Sequence, residues 1–175
     1  MTRLHLAGAA CAALMAASLS ACNPATPAKP AVDTGKIADA VKADATQIVA
    51  DYNAHDPAKF VSHLATDDVA MFHGAPNEVG VAASQADVKQ TFATVPDIHV
   101  TLADQAVDVA ASGDMAVFRS TYTVTSTNPK TKKPATETGN YLAGYKLQPD
   151  GSWKQAWSVV SDVGPPPKAA PAAKS

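Results

Sequence analysis

Residues 136–162, TETGNYLAGYKLQPDGSWKQAWSVVSD, decide how this chain reads. Thr136–Leu147 and Trp153–Asp162 are rich in β-branched and aromatic side chains, which suit extended, half-buried backbone. Between them Gln148-Pro149-Asp150-Gly151 sets Pro and Gly where a tight turn needs a fixed φ and then a permissive residue. The stretch therefore predicts two strands folded back on one another. The same pattern repeats upstream. Ile98, Val100 and Leu102 alternate with polar residues and the alternation continues toward Val109. The Ser112-Gly113-Asp114 turn leads into Met115–Thr127, and a polar loop from Asn128 to Pro134 leads into the quoted stretch. Four successive strands fill the second half of the chain.

The first half is mostly helical. Over 35–53, Ile37, Val41, Ile48, Val49 and Tyr52 recur at helical spacing, with Asp and Lys on the other face. His55-Asp56-Pro57 breaks this helix and starts another, because Asp56 suits an N-cap and Pro57 the first helical position. The second helix, about 57–65, presents Phe60, Val61 and Leu64. Asp67-Asp68 ends it, and Val69–His73 reads as a short strand closed by Gly74. Ser84-Gln85-Ala86-Asp87 resembles a capping box with Asp in place of Glu, opening a third helix with Val88, Phe92 and Val95 inward. The expected order is helix, helix, strand, helix, then four strands.

That order, with His55-Asp56, Asp67-Asp68-Val69, Gly139-Asn140-Tyr141 and Asp150-Gly151-Ser152-Trp153-Lys154 at their spacings, resembles the nuclear-transport-factor-2-like superfamily. Within it the chain is similar to the SnoaL-like and ketosteroid-isomerase-like groups, over roughly residues 36–163. The resemblance implies an α+β fold: a cone-shaped, curved antiparallel sheet wrapped around about three helices, a cystatin-like roll. It also implies a cavity open at one end, suited to a small apolar ligand, and a homodimer through the outer sheet face. The superfamily hosts isomerases, cyclases, dehydratases and plain binding or assembly domains, so fold alone does not name an activity.

Steroid-isomerase chemistry needs a carboxylate base, a Tyr and a protonated Asp around the enolate oxygen. Counting from His55-Asp56 puts Ile48 at the tyrosine position; counting from Asp67-Asp68 puts His73 at the base position, and the acid position falls near Ala143. That catalytic set is not present. His73 stays a candidate general base, since a neutral imidazole titrates near physiological pH, or else a hydrogen-bonded histidine at the sheet edge. Arg119 is a candidate for holding an anionic ligand, because its fork matches a carboxylate, or it pairs with a neighbouring-strand acid such as Glu137. Tyr141 and Trp157 are candidates for lining the pocket. By strict alternation Trp157 shares a face with Trp153, Gln155 and Val159.

The remainder of the chain supplies an address. Arg3 precedes an apolar run from Leu4 to Ala17, too short to span a bilayer, and the segment ends in Leu19-Ser20-Ala21-Cys22. That tetrad looks like the lipobox of bacterial lipoproteins. The expectation is a signal peptide over 1–21 and a diacylglycerol on the Cys22 thiol, with a Pro-rich disordered tether over 22–34. The domain then covers 35–163 and a Pro/Ala/Lys tail 164–175. The membrane is the implied partner, through the Cys22 lipid. Asn23 after the cysteine favours the outer membrane, facing the periplasm, over retention at the inner one.

Composition narrows the function classes further. The formal net charge is −2 and the basic residues do not cluster, which weighs against nucleic-acid binding. The two cysteines, Cys11 and Cys22, both fall in the signal and lipid segment, so the domain has no thiol for a disulfide or a metal. His55, His63, His73 and His99 make no recognisable metal spacing, and no HExxH, P-loop or GxSxG pattern occurs. No metal or cofactor is expected. The reading is a non-catalytic, membrane-anchored envelope domain binding a small hydrophobic molecule or a partner. An isomerase, cyclase or dehydratase using His73 is one alternative, and a dimerising structural module another.

Overall fold

The structure is a computed structural model that describes residues 31–162. The signal segment, Cys22, the tether up to residue 30 and the C-terminal tail lie outside the described residues. Three helices, α1 (Thr34–Asn53), α2 (Pro57–Ser62) and α3 (Val81–Thr94), accompany six strands. These are β1 (Leu64–Phe72), β2 (Glu78–Val79), β3 (His99–Val109), β4 (Met115–Thr127), β5 (Pro134–Leu147) and β6 (Trp153–Asp162). The strands form one sheet in the order β2-β1-β6-β5-β4-β3.

Three hairpins run β3 to β6 as an antiparallel meander. The meander returns to lie beside β1, and their pairing is parallel. The expected antiparallel sheet is therefore mixed. The cause is that β1 and β6 meet through the meander's return, with no hairpin between them to reverse direction.

Capping residues set the helix boundaries. Asp33 accepts a hydrogen bond from the Lys36 amide at 3.1 Å and starts α1, so Asp33 and Thr34 belong to the helix start and not to a tether. Asp56 accepts from the Lys59 amide at 3.0 Å with Pro57 in the first turn, as the motif predicts. Two expectations shift. First, α2 stops at Ser62 and β1 begins already at Leu64, where the Gln155 amide donates to the His63 carbonyl at 3.0 Å. Second, α3 starts at Val81. Gly80, with φ of 84°, holds the N-cap position, so Ser84 lies inside the helix and caps nothing. Strand β2 is too short for any periodic signal, and the sequence alone offers none.

The core sits between α1 and the concave sheet face. Val41, Ala45 and Ile48 of α1 pack on Ala116 and Phe118 of β4 and on Ala143 and Tyr145 of β5. Three alanines at this contact let the helix approach the sheet closely. Polar clamps fix its height and rotation. Asn53 donates to the Val100 carbonyl and accepts from the Val100 amide, both at 2.8 Å, tying the end of α1 to β3. His63, just after α2, places Nδ1 2.6 Å from Asp44 Oδ1 and Nε2 3.0 Å from Asp51 Oδ2, both on α1. These aspartates were expected on the solvent face of the helix. They point inward because the half-buried imidazole supplies partners there.

Between β5 and β6 the register shifts by one: Gly144 pairs with Trp157 but Tyr145 pairs with Gln155. This bulge breaks strict alternation along β6. Gln155 turns to the concave face along with Ser158 and Val160, while Trp157 faces out and lies across Gly144. A Cβ on Gly144 would sit 2.0 Å from the indole.

Candidate functional site

A cavity of about 240 Å³ opens on the concave side of the sheet, bounded by α1, α2, α3 and every strand. Most of its wall is apolar, with Ile48, Leu64, Ala70, Val88, Leu102 and Val160 among the contributors. Aromatic rings come from Tyr52, Phe60, Phe72, Tyr122 and Tyr141. Three carboxyl groups interrupt this surface: Asp68 from β1, Glu78 from β2 and Asp87 from α3. The lining contains no Lys, Arg or His.

Asp68 is 1% exposed. Its Oδ1 accepts a long 3.4 Å hydrogen bond from Gln155 Nε2, and its Oδ2 has no hydrogen-bond partner. Gln155 is itself held from behind, because the Tyr141 hydroxyl donates to its Oε1. Burial pushes the Asp68 carboxyl up to about 6, against the opposing Gln155 hydrogen bond and with Asp67 adding repulsion. Glu78 is raised to about 7, first by burial and then by the neighbouring Asp87. Ser84, one turn before Asp87 and Val88 on the same face of α3, is 3% exposed with an unpartnered Oγ. Burial lifts the Tyr52 phenol to about 12 and raises Tyr122 and Tyr141 as well, so these hydroxyls stay neutral donors. Tyr122 donates to Asp162 Oδ1 at 2.8 Å.

The arrangement offers buried acceptors, two carboxyl groups that exchange protons near neutral pH, and an apolar enclosure. Among the described residues, no group of three or more His, Cys, Asp or Glu is arranged to hold a metal ion.

Of the four residues singled out from the sequence, Tyr141 lines this cavity. His73 lies exposed in the turn after β1 and outside the lining. Arg119 lies on the outer sheet face, where its Nε donates to Asp108 Oδ2 of β3 at 3.2 Å, so the acid beside it is Asp108 and not Glu137. Trp157 is also on the outer face, carried there by the bulge. Asp68, Glu78, Ser84, Asp87 and Gln155 were not foreseen as pocket residues. For Asp68 a signal existed: it alternates with Ala70 and Phe72, so extending the strand backward by period two places it inward. For Ser84, Asp87 and Val88 the helical spacing was legible, but reading Ser84 as a cap hid it.

The SnoaL-like domain model matches residues 45–156, and the chain belongs to this family. Solved structures repeat the fold. A ketosteroid isomerase-like protein from Erwinia carotovora atroseptica SCRI1043 is 25% identical, with a TM-score of 0.62, over 73% of this chain and 96% of that one. A nuclear transport factor 2-like superfamily protein from Salmonella enterica serovar Typhimurium LT2 is 14% identical, with a TM-score of 0.66, over 76% and 95%. A nuclear transport factor 2-like protein with a cystatin-like fold from Novosphingobium aromaticivorans is 14% identical, with a TM-score of 0.61, over 71% and 80%. No curated protein matches the chain.

Proposed function

We propose that the protein binds a small, largely apolar molecule in the concave cavity and does so from the bacterial envelope, anchored through a lipid on Cys22. The observation that carries the binding reading is the largely apolar wall with a few convergent polar groups, above all Asp68 Oδ2 and Ser84 Oγ left unpartnered in it. The anchoring reading rests on Leu19-Ser20-Ala21-Cys22 after an apolar run. Among the described residues no helix is long and apolar enough to cross a membrane. Asn23 supports an outer-membrane position facing the periplasm.

Thermal denaturation of the full-length protein against a panel of hydrophobic metabolites tests the binding reading. A ligand at about 100 times its Kd stabilises by about 2.7 kcal/mol, a readily measured rise in Tm. No stabilisation by any member would overturn it and favour a structural module. Radiolabelled palmitate incorporation, lost in Cys22→Ser, tests the anchor separately.

One observation favours a second reading, an acid–base enzyme on a small hydrophobic substrate. The carboxyls of Asp68 and Glu78, raised to about 6 and 7, lie in the range where a proton is both held and released near neutrality. In that case Asp68, and not His73, is the proton-transfer group. Asp68→Asn would then abolish turnover while His73→Ala would leave it intact.

A further inference from the structure

We propose that the cavity is specific for a small organic cation, an apolar amine whose nitrogen donates to Asp68 while its hydrocarbon body fills the aromatic wall. The inference deepens the binding reading above and rests on it.

Charge comes first. Asp68, Glu78 and Asp87 converge on one cavity, and no side chain of its lining carries a compensating positive charge. An anionic ligand would add to this repulsion. A neutral ligand would leave it in place.

Hydrogen-bond capacity is the second, independent observation. Asp68 Oδ2 and Ser84 Oγ lack partners. Both residues are almost wholly buried, at 1% and 3% exposure, and both line the cavity, from β1 and from α3. An ionised carboxylate only accepts, so the group that satisfies Asp68 must be a donor. A hydroxyl of Ser84 both gives and takes, so it is a second acceptor that an N–H donor entering the cavity can use. Six buried side-chain atoms among the described residues lack partners, and these two are the ones that belong to residues lining the cavity.

The remaining wall excludes the simplest cation. No cluster among the described residues is arranged to hold a metal ion. The lining is instead dominated by Tyr52, Phe60, Phe72, Tyr122 and Tyr141 with aliphatic neighbours. Rings attract an ammonium through their negative faces and also cover hydrocarbon. A cation that brings its own apolar body matches both properties. The raised carboxyls of Asp68 and Glu78 agree, being what acidic groups show when no counter-charge is built in beside them.

Calorimetric titration of the full-length protein at pH 7.5 with three probes of similar shape tests this: 2-phenylethylamine, 2-phenylethanol and 3-phenylpropanoate. The amine is expected to bind at least about tenfold more tightly than the alcohol, and the carboxylate not to bind. Asp68→Asn should cost the amine at least about tenfold and leave the alcohol within about twofold. Glu78→Gln, at a less buried position, should weaken the amine in the same direction and serves if Asp68→Asn misfolds. Equal affinity for amine and alcohol, or an amine preference untouched in the folded variants, overturns the cation specificity while the apolar-pocket reading stands. Failure of all three probes to bind overturns both.

Discussion

Asp68 carries a conflict between fold and charge that pH resolves. The folded chain raises its carboxyl to about 6 from the ordinary 3.8, so the native state holds this proton more tightly than the unfolded state does. The site is therefore at its most stabilising below about pH 4, and that contribution is lost as pH rises through about 6. Two pKa units correspond to about 3 kcal/mol. Asp68→Asn, which keeps the shape and cannot ionise, should stabilise the protein at pH 7.5 by up to about that amount and make little difference at pH 4. Urea denaturation at both pH values measures it. An Asn variant less stable than the parent at pH 7.5 would mean that Asp68 has a counter-charge in solution. A stabilising substitution at a buried carboxylate also marks the residue as retained for use and not for the fold.

Among the elements, α1 depends on polar clamps that no hydrophobic pattern records. His63 sits between Asp44 and Asp51, and the three side chains are 10–21% exposed. Removing the imidazole takes a partner from two largely buried carboxylates and leaves Asp51 with only the Gln47 amide. His63→Ala should cost about 3 kcal/mol in chemical denaturation, well beyond the usual effect of a surface substitution. Gly144 is the corresponding point on the sheet. The Trp157 indole occupies the space where a Cβ would go, so Gly144→Ala forces the ring or the strand to move. The expected cost is about 1–3 kcal/mol, with a change in Trp fluorescence that a remote destabilisation would not produce. The start of α2 was readable from its cap, Asp56, which accepts from the Lys59 amide, whereas Asp33, which caps α1 in the same way, was assigned to the tether. The start of α3 was misread, because Gly80 starts that helix through its backbone conformation and has no side chain to advertise it.

Across the whole molecule, the question is whether the hollow serves binding or is a tolerated packing defect. Ala70 lies on the cavity wall with 7% exposure. Ala70→Leu should fill part of the space, hold or raise stability by about 0.5–2 kcal/mol, and abolish ligand-induced stabilisation. A variant that gains stability and still binds would place the ligand elsewhere. A variant that loses stability would show that the wall cannot accept a longer side chain, as an already packed core behaves.

The chain's sequence by itself determined the three helices, five of the six strands, the hairpin turns and the family. Those follow from local preferences: β-branched alternation in β3 to β6, helical spacing of Val41 and Ile48, and Pro149 with Gly151 at the last turn. It also holds the Leu19-Ser20-Ala21-Cys22 tetrad, a linear pattern, on which the proposed lipid anchor rests. Only the tertiary structure decided which side chains share the cavity. A single bulge on β6 parted Gln155 from Trp157, which strict alternation puts on one face; Gln155 stays concave, Trp157 turns out, and Ser158 and Val160 take the inward places beyond it. The inward turn of Asp44 and Asp51 came from His63 closing on α1, and the meeting of Asp68, Glu78 and Asp87 from three different elements closing on one cavity. Burial and proximity between distant segments are collective properties, so the chemistry of the site could not be read along the chain.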